Sequence, residues 1–417
     1  MVHVLFVTPG FPPLTGGGER YAHALARALL DAGSRVTVVT SSAEGEHDFW
    51  RGRAAPAERP QCEDGLAIWR LPLRPFPGGR PALLAWRKLM VLLSMLPGER
   101  RVLLERMARR VPFMIGLPQT LARFPDVSLV HGFNISWEYG LVAASQFARQ
   151  RRVPLVITPF AHLGESRRAR VAHNSLMQHQ RAILAGADAV HVMTRVEAEG
   201  FVSWGVQPRR VVEAGGGVDQ LPPLQNTRDR VAELGIRPPF VLFLGRATYD
   251  KGAQHAVRAI QLLHQQGKPV RLVLAGPTAP DFVAFCARLD AETRSHVRTL
   301  GLVDEATKHA LLAEASAMLL PSRTDSLGIV MLEAWSHGTP VIGAAAGGIP
   351  GVVDHGENGL LVPFGDVAAL AGSVRLLVTD GELRRRLGEQ GREKVARHYT
   401  WSQVRDRVLD SYRQLLD

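Results

Sequence analysis

The 417-residue chain is 46% hydrophobic and 21% charged, an ordinary composition for a globular protein long enough to form two or three domains. Its two cysteines, Cys62 and Cys286, lie far apart with no partner motif, which argues against a disulfide framework or a cysteine zinc site and fits a reducing, cytoplasmic compartment. A net charge of +11 suits phosphorylated substrates, an anionic membrane surface or nucleic acid, or reflects an Arg-rich genomic bias. Nucleic acid is the weakest of these, because zinc-finger spacing, an aromatic RNA-recognition signature and a basic zipper are all missing.

In chain order, VHVLFVT near the start is too short for a secretory signal core and reads as a first strand. A helix follows from about Gly18 to Ala32, then the strand RVTVVT. Later come VSLVHGF, PLVITPF, AVHVMT and RRVVEAG, most of them separated by helix-period segments. The second half repeats the scheme with FVLFLGR, VRLVLAG, HVRTLG, AMLLPS, PVIGAA and GLLVP, and with helices near 252–266, 304–315, 328–338 and 366–379. Apolar strands without polar alternation, each followed by a helix, predict parallel sheets covered on both faces. No run of about 18 uncharged apolar residues predicts a membrane span.

The joint near Val218–Pro239 is polar and proline-rich, so the chain reads as two doubly wound α/β domains. The first covers 1–218 and the second 219–400, with a C-terminal segment 401–417 (beginning WSQVRDRVLDSY) read as a helix. Open sheets of this kind bind ligands at the carboxyl ends of their strands, so two Rossmann-like domains are expected to face each other across a deep cleft. One segment breaks the rhythm. Residues 70–123 hold eleven basic and two acidic residues, interleaved with Leu, Met, Trp and Phe. That mix suits a helix lying on an anionic membrane, or a helical insertion packed on its own domain with a solvated basic face.

The most informative block runs from Pro321 to Val353, PSRTDSLGIVMLEAWSHGTPVIGAAAGGIPGVV. A strand ends, a polar loop follows and a helix starts near Gly328. Unpaired N–H groups at a helix start form an anion site fit for a phosphate. Glu333 could reach a ribose diol, and Asp325, in the loop before the helix, could accept hydrogen bonds from a sugar.

This block resembles the family-four glycosyltransferases, the retaining group with the GT-B fold. Their signature places two glutamates with seven residues between them in a pattern like PS-x-x-E-x-F-G-x-x-x-x-E-A-x-x-x-G-x-P-V. Here Asp325 stands for the first glutamate and Leu327 for the usual Phe, while Glu333, Ala334, Gly338, Pro340 and Val341 match. The resemblance continues through GGIPGVVDHGENGLLVPFGD, with Gly351 where an acidic residue often stands. It implies transfer of a hexose or related sugar from a UDP- or GDP-sugar to a sugar, lipid-linked or small-molecule hydroxyl acceptor. It further implies retention of configuration, no cofactor and no bound metal, and a C-terminal helix that crosses back to the first domain. The donor would lie against Leu327, Gly328, Ile329, Val330 and Glu333.

GRATYDKG follows the first strand of the second half, and its Arg246 and Lys251 resemble the pair that holds the donor diphosphate. Fixed cations aimed at a departing diphosphate stabilise the transition state more than the ground state. The glycine loop Gly16, Gly17 and Gly18 lacks the dinucleotide fingerprint and resembles the family's first-domain loop, which approaches acceptor or donor phosphates. His162, just past a strand end, matches a histidine that contacts the transferred sugar; His131 and His173 have weaker cases. The catalytic set is thus His162, Arg246, Lys251 and Asp325. The rival readings are a sugar-nucleotide epimerase of the same architecture and a non-catalytic nucleotide-sugar-binding protein. The expected location is cytoplasmic, with the inner membrane surface as the place where the basic segment would dock.

Overall fold

The computed structural model describes residues 2–54, 60–63, 65–164, 170–219, 221 and 225–417. Two units carry the chain: residues 1–162, 167–216 and 401–417 in the first, 163–166 and 217–400 in the second.

The first unit is built on β1 (His3–Val7), β2 (Arg35–Ser41), β3 (Gln61–Glu63), β4 (Leu66–Leu71), β5 (Leu129–Phe133), β6 (Leu155–Thr158), β7 (Ala189–Val192) and β8 (Val211–Glu213). Their order across the sheet is β3-β4-β2-β1-β5-β6-β7-β8, parallel except for the antiparallel edge strand β3. β1, β5, β6 and β7 are buried at every residue, which is why they read as unbroken apolar runs. β3 and β4 are additions to the strands read from sequence.

The helix Trp401–Leu416 belongs to this unit and is tied to its sheet by buried polar contacts. His131 Nδ1 lies 2.6 Å from Tyr412 Oη, and its Nε2 lies 2.8 Å from Thr158 Oγ1. His191 Nε2 lies 2.9 Å from Ser411 Oγ. Burial pushes both imidazoles down, His191 to about 3, so both are neutral donors and acceptors. His131 is therefore a structural histidine, and α-helical residues 401–416 cross back to the first sheet through it.

The segment after β4 forms the helices Gly79–Met95 and Arg101–Ala108. Leu83, Met90, Leu104 and Met107 bury one side of the pair. Arg87 pairs with Glu138, whose side chain is fully buried, so this cation anchors the insertion instead of facing solvent. Arg101 is likewise engaged, with Glu105 at 2.8 Å.

The second unit has β9 (Phe240–Leu244), β10 (Arg271–Ala275), β11 (Val297–Gly301), β12 (Ala317–Leu320), β13 (Val341–Ala344) and β14 (Gly359–Val362). All six are parallel in the order β11-β10-β9-β12-β13-β14. Helices Ala253–Gln265 and Val367–Thr379 pack with the strands into one core that includes Val257, Ile260, Leu263, Leu370 and Val374. Each such aliphatic side chain contributes roughly 1.5–3 kcal/mol by leaving water. The strand order reverses between β9 and β12 here, and between β1 and β5 in the first unit; at such switch points the loops at the carboxyl ends of the strands diverge and open a crevice.

Candidate active site

In the second unit the switch point collects the residues singled out from sequence. Arg246 leaves the end of β9 and is exposed. Lys251 closes the same loop, where its N–H donates to Thr248 Oγ1 at 3.3 Å. The next residue, Gly252, takes φ +77°, and a Cβ there would stand 2.0 Å from the Pro321 carbonyl oxygen at the end of β12. Only glycine lets the two strand-end loops come this close.

That approach brings Lys251 Nζ to 2.9 Å from Asp325 Oδ1, with the side chains 31% and 16% exposed. The Asp325 backbone is held in turn, its carbonyl accepting from Gly348 N at 2.7 Å. Two residues assigned to separate parts of the donor are thus directly paired. An ammonium has three donors, so Lys251 keeps two for a phosphate after binding Asp325.

Beyond Asp325 the chain turns through Gly328 (φ +78°, ψ 58°) into the helix Ile329–Ser336. The left-handed turn starts the helix after β12; Met331 N–H donates to the Gly328 carbonyl at 2.8 Å, and the N–H groups of Ile329 and Val330 have no partner among the described residues. Gly328 is buried and Ile329 and Val330 are partly exposed, whereas Leu327 is a core side chain at 2% exposure and offers the site backbone only. Glu333 sits in the second turn, and its Oε1 accepts from Lys308 Nζ at 2.8 Å. Beside the loop, Arg323 donates to Asp250 Oδ1 at 2.7 and 2.9 Å and lies over the rings of Tyr249 and Phe364.

In the first unit the glycine loop is the start of a helix. Gly16 caps Gly17–Asp31 with extended backbone, so no left-handed conformation is demanded there. A Cβ on Gly18 would touch the Phe160 ring at 3.2 Å, whereas one on Gly17 would meet open space. His162 follows β6, its N–H donating to Ser175 Oγ at 3.4 Å. The backbone before it is strained: Phe160 has φ +49°, unusual for an aromatic residue. His173 ends a short helix and rests edge-on against Trp204 at 4.9 Å.

Glu197 is a residue that sequence reasoning missed. It is 1% exposed and accepts from Ala161 N through Oε1 and from Met193 N through Oε2, both at 2.7 Å. Burial pushes its carboxyl up to about 7, against the pull of those two backbone donors. Thr194 caps the helix Arg195–Ser203 by accepting from Glu197 N, and the T-x-x-E spacing of a capping box was the available signal. Here the glutamate reaches past its own cap and fixes the loop that carries His162.

Comparison with known proteins follows the same division. The family described as "Glycosyl transferase 4-like domain" matches residues 16–215, and "Glycosyl transferases group 1" matches 226–394. D-inositol 3-phosphate glycosyltransferase 1 of Catenulispora acidiphila is 32% identical over 333 residues, covering 72% of this chain and 77% of that protein. The chain belongs to the family-four GT-B glycosyltransferases.

Another relative is similar over less of its length. Alpha-maltose-1-phosphate synthase of Mycobacterium tuberculosis is 34% identical over 204 residues, 44% of this chain and 51% of that protein, so the match spans about half of that relative. Among solved structures, sucrose-phosphate synthase from Thermosynechococcus elongatus has a TM-score of 0.73 at 21% identity, covering 100% and 99% of the two chains. Anabaena HepE in complex with UDP-glucose has a TM-score of 0.71 at 18% identity, covering 99% and 100%. These likenesses establish the GT-B fold. Asp325 is one departure from the family pattern, beside Leu327 and Gly351, and its side chain is paired with Lys251.

Proposed function

We propose that this family member transfers a hexose or related sugar from a nucleotide-diphosphate donor to a hydroxyl acceptor with retention of configuration and without a metal or other cofactor. The observation that carries the reading is the Lys251–Asp325 pair at the β9/β12 switch point, next to a helix start where the N–H groups of Ile329 and Val330 have no partner among the described residues. Arg246, Lys251 and those N–H groups would take the diphosphate, Glu333 the ribose and Asp325 the sugar hydroxyls. The family resemblance gives His162 to the transferred sugar and the Gly16–Gly18 loop to acceptor or donor phosphates.

In this reaction the bond from the anomeric carbon to the β-phosphate oxygen breaks, and its electron pair leaves with the diphosphate. The acceptor oxygen bonds to the same face of that carbon and its proton passes to the leaving phosphate. Fixed cations matter most as that charge builds, where preorganised donors stabilise by about 2.7–4 kcal/mol each. That Anabaena HepE was solved with UDP-glucose makes uridine donors the first to test, with guanosine donors as the other class. Turnover of such a panel in the presence of a strong chelator tests the proposal. Dependence on added magnesium or manganese would overturn its metal-free part.

The acceptor side includes an anionic membrane surface. On the helix Gly79–Met95 the residues Leu84, Lys88, Leu89, Leu92 and Met95 share one exposed face, continued by Leu96. On the helix Arg101–Ala108 the exposed face carries Val102, Leu103 and Arg106, followed by Arg109 and Arg110. Exposed leucines interleaved with cations that have no ion-pair partner among the described residues fit an anionic bilayer surface better than water. Among the described residues no helix is long and apolar enough to cross a membrane, so the contact would be lateral. Reversing Lys88, Arg106 and Arg109 to glutamate should abolish sedimentation with phosphatidylglycerol vesicles. Equal recovery on phosphatidylcholine, or self-association through this face, would remove the membrane reading.

A further inference from the structure

Lys308 is a lysine in an unfavourable place. It lies in the first turn of the helix Glu305–Glu314, near the positive end of the helix dipole, and only 7% of it is exposed. Buried lysines are rare unless paired. Its ammonium holds two carboxylates, Glu305 Oε2 at 2.6 Å and Glu333 Oε1 at 2.8 Å. Glu305 is two-thirds exposed, whereas the Glu333 side chain is 15% exposed, so the contact that needs the buried position is the one with Glu333.

The next residue completes a second link between the same helices: His309 Nδ1 lies 2.8 Å from His337 Nε2. Burial lowers both imidazoles, His337 to about 4, so this pair is neutral near pH 7 and adds no competing cation beside Glu333. Among the described residues, Lys308 is the cation paired with Glu333. Holding one carboxylate oxygen fixes the torsion of a side chain that would otherwise sample several rotamers, and leaves the other oxygen to accept from a ligand.

We propose that Lys308 is a positioning residue for nucleotide recognition: it fixes the Glu333 carboxylate so that its second oxygen accepts from the ribose diol of a nucleoside diphosphate. This rests on the reading of Glu333 as the ribose acceptor. A point charge anchored on a separate helix makes recognition of the sugar hydroxyls depend on how the two helices are joined. Lys308 itself touches no ligand.

The test uses the full chain and measures, by calorimetry, binding of UDP against dUDP and of GDP against dGDP, which differ at the 2′-hydroxyl. The wild type should favour the ribonucleotide of the pair it binds by about tenfold to a hundredfold, the worth of one hydrogen bond to a charged group. Glu333→Ala should bring that ratio near one. Lys308→Met should reduce it at least severalfold, with Lys308→Gln as the second neutral variant if the first folds poorly, and Lys308→Arg should restore it. A purely structural role for Lys308 would weaken both nucleotides alike and leave the ratio intact, which overturns the proposal. An unchanged ratio in Glu333→Ala, or no binding of either pair by the wild type, would instead sink the underlying ribose reading.

Discussion

Lys251 and Asp325 offer the sharpest prediction because the structure joins two roles that the sequence kept apart. With Nζ and Oδ1 at 2.9 Å and the pair largely screened from water, the contact is a charge-assisted hydrogen bond worth about 1.5–3 kcal/mol. Removing Lys251 deletes that bond and also the cation offered to the leaving phosphate, which costs about 2.7–4 kcal/mol in the transition state. Lys251→Ala should therefore lower kcat by a hundredfold to a thousandfold and weaken nucleoside diphosphate binding. Asp325→Ala frees the ammonium to turn wholly to the phosphate, so diphosphate binding should hold or tighten while sugar transfer falls. The two effects on kcat should be non-additive, with a coupling of about 1 kcal/mol or more. Calorimetry with UDP and GDP, and a coupled assay of nucleoside diphosphate release, read both quantities. If Asp325→Ala weakens the nucleotide as much as Lys251→Ala, and the kcat losses simply add, the pair is a structural ion pair and the division of roles is wrong.

Other consequences follow from single contacts. Arg246→Lys should lose most activity, since a point charge does not replace a planar fork at a diphosphate, and a wild-type rate in the variant would place the phosphate elsewhere. Gly328→Ala must hold a side chain at φ +78°, with its Cβ 2.7 Å from Met331 Cε and 2.9 Å from Leu320 Cδ2, and should lose roughly 1–3 kcal/mol in denaturant unfolding. An unaltered midpoint would mean the turn is relaxed. Glu197 binds its proton more tightly folded, near 7, than unfolded, near 4.5, so between those values the native state holds more protons and stability falls as pH rises. The stability of Glu197→Gln relative to wild type should thus improve from pH 5 to pH 8, and a flat difference contradicts the assignment.

Much of the fold was legible because its strands are buried on both faces, and sequences such as FVLFLG have no polar alternation to hide them. β3 was not, being a three-residue edge strand, Gln61–Glu63, with two exposed residues and no apolar signal. The helix Gly381–His398 was missed because Gly388 and Gly391 fall inside it and read as breakers. Both are there for close packing: a Cβ at Gly388 would stand 1.8 Å from the Gly338 carbonyl oxygen, and one at Gly391 2.1 Å from the Trp335 ring. In the site, motif spacing picked out Lys251, Asp325 and Glu333 but neither the pairing of the first two nor Lys308, which holds the third. Lys251 and Asp325 are 74 residues apart, and Lys308 and Glu333 are 25 apart, so only the folded switch point pairs them. Arg87 shows the opposite error. A basic residue in a basic segment reads as surface charge, yet it is the counter-ion of a fully buried glutamate.

Sugar transfer from a nucleotide-diphosphate donor by fixed protein charges is tested most directly by one reaction followed by NMR. The purified full chain, with a strong chelator, would be given UDP- and GDP-sugars and a panel of hydroxyl acceptors, and the anomeric signal of the product followed from the first turnover. The expected result is release of nucleoside diphosphate together with a glycoside of the donor's own anomeric configuration, both lost in Arg246→Ala. A product of inverted configuration, or turnover that appears only when a divalent metal is restored, would contradict it.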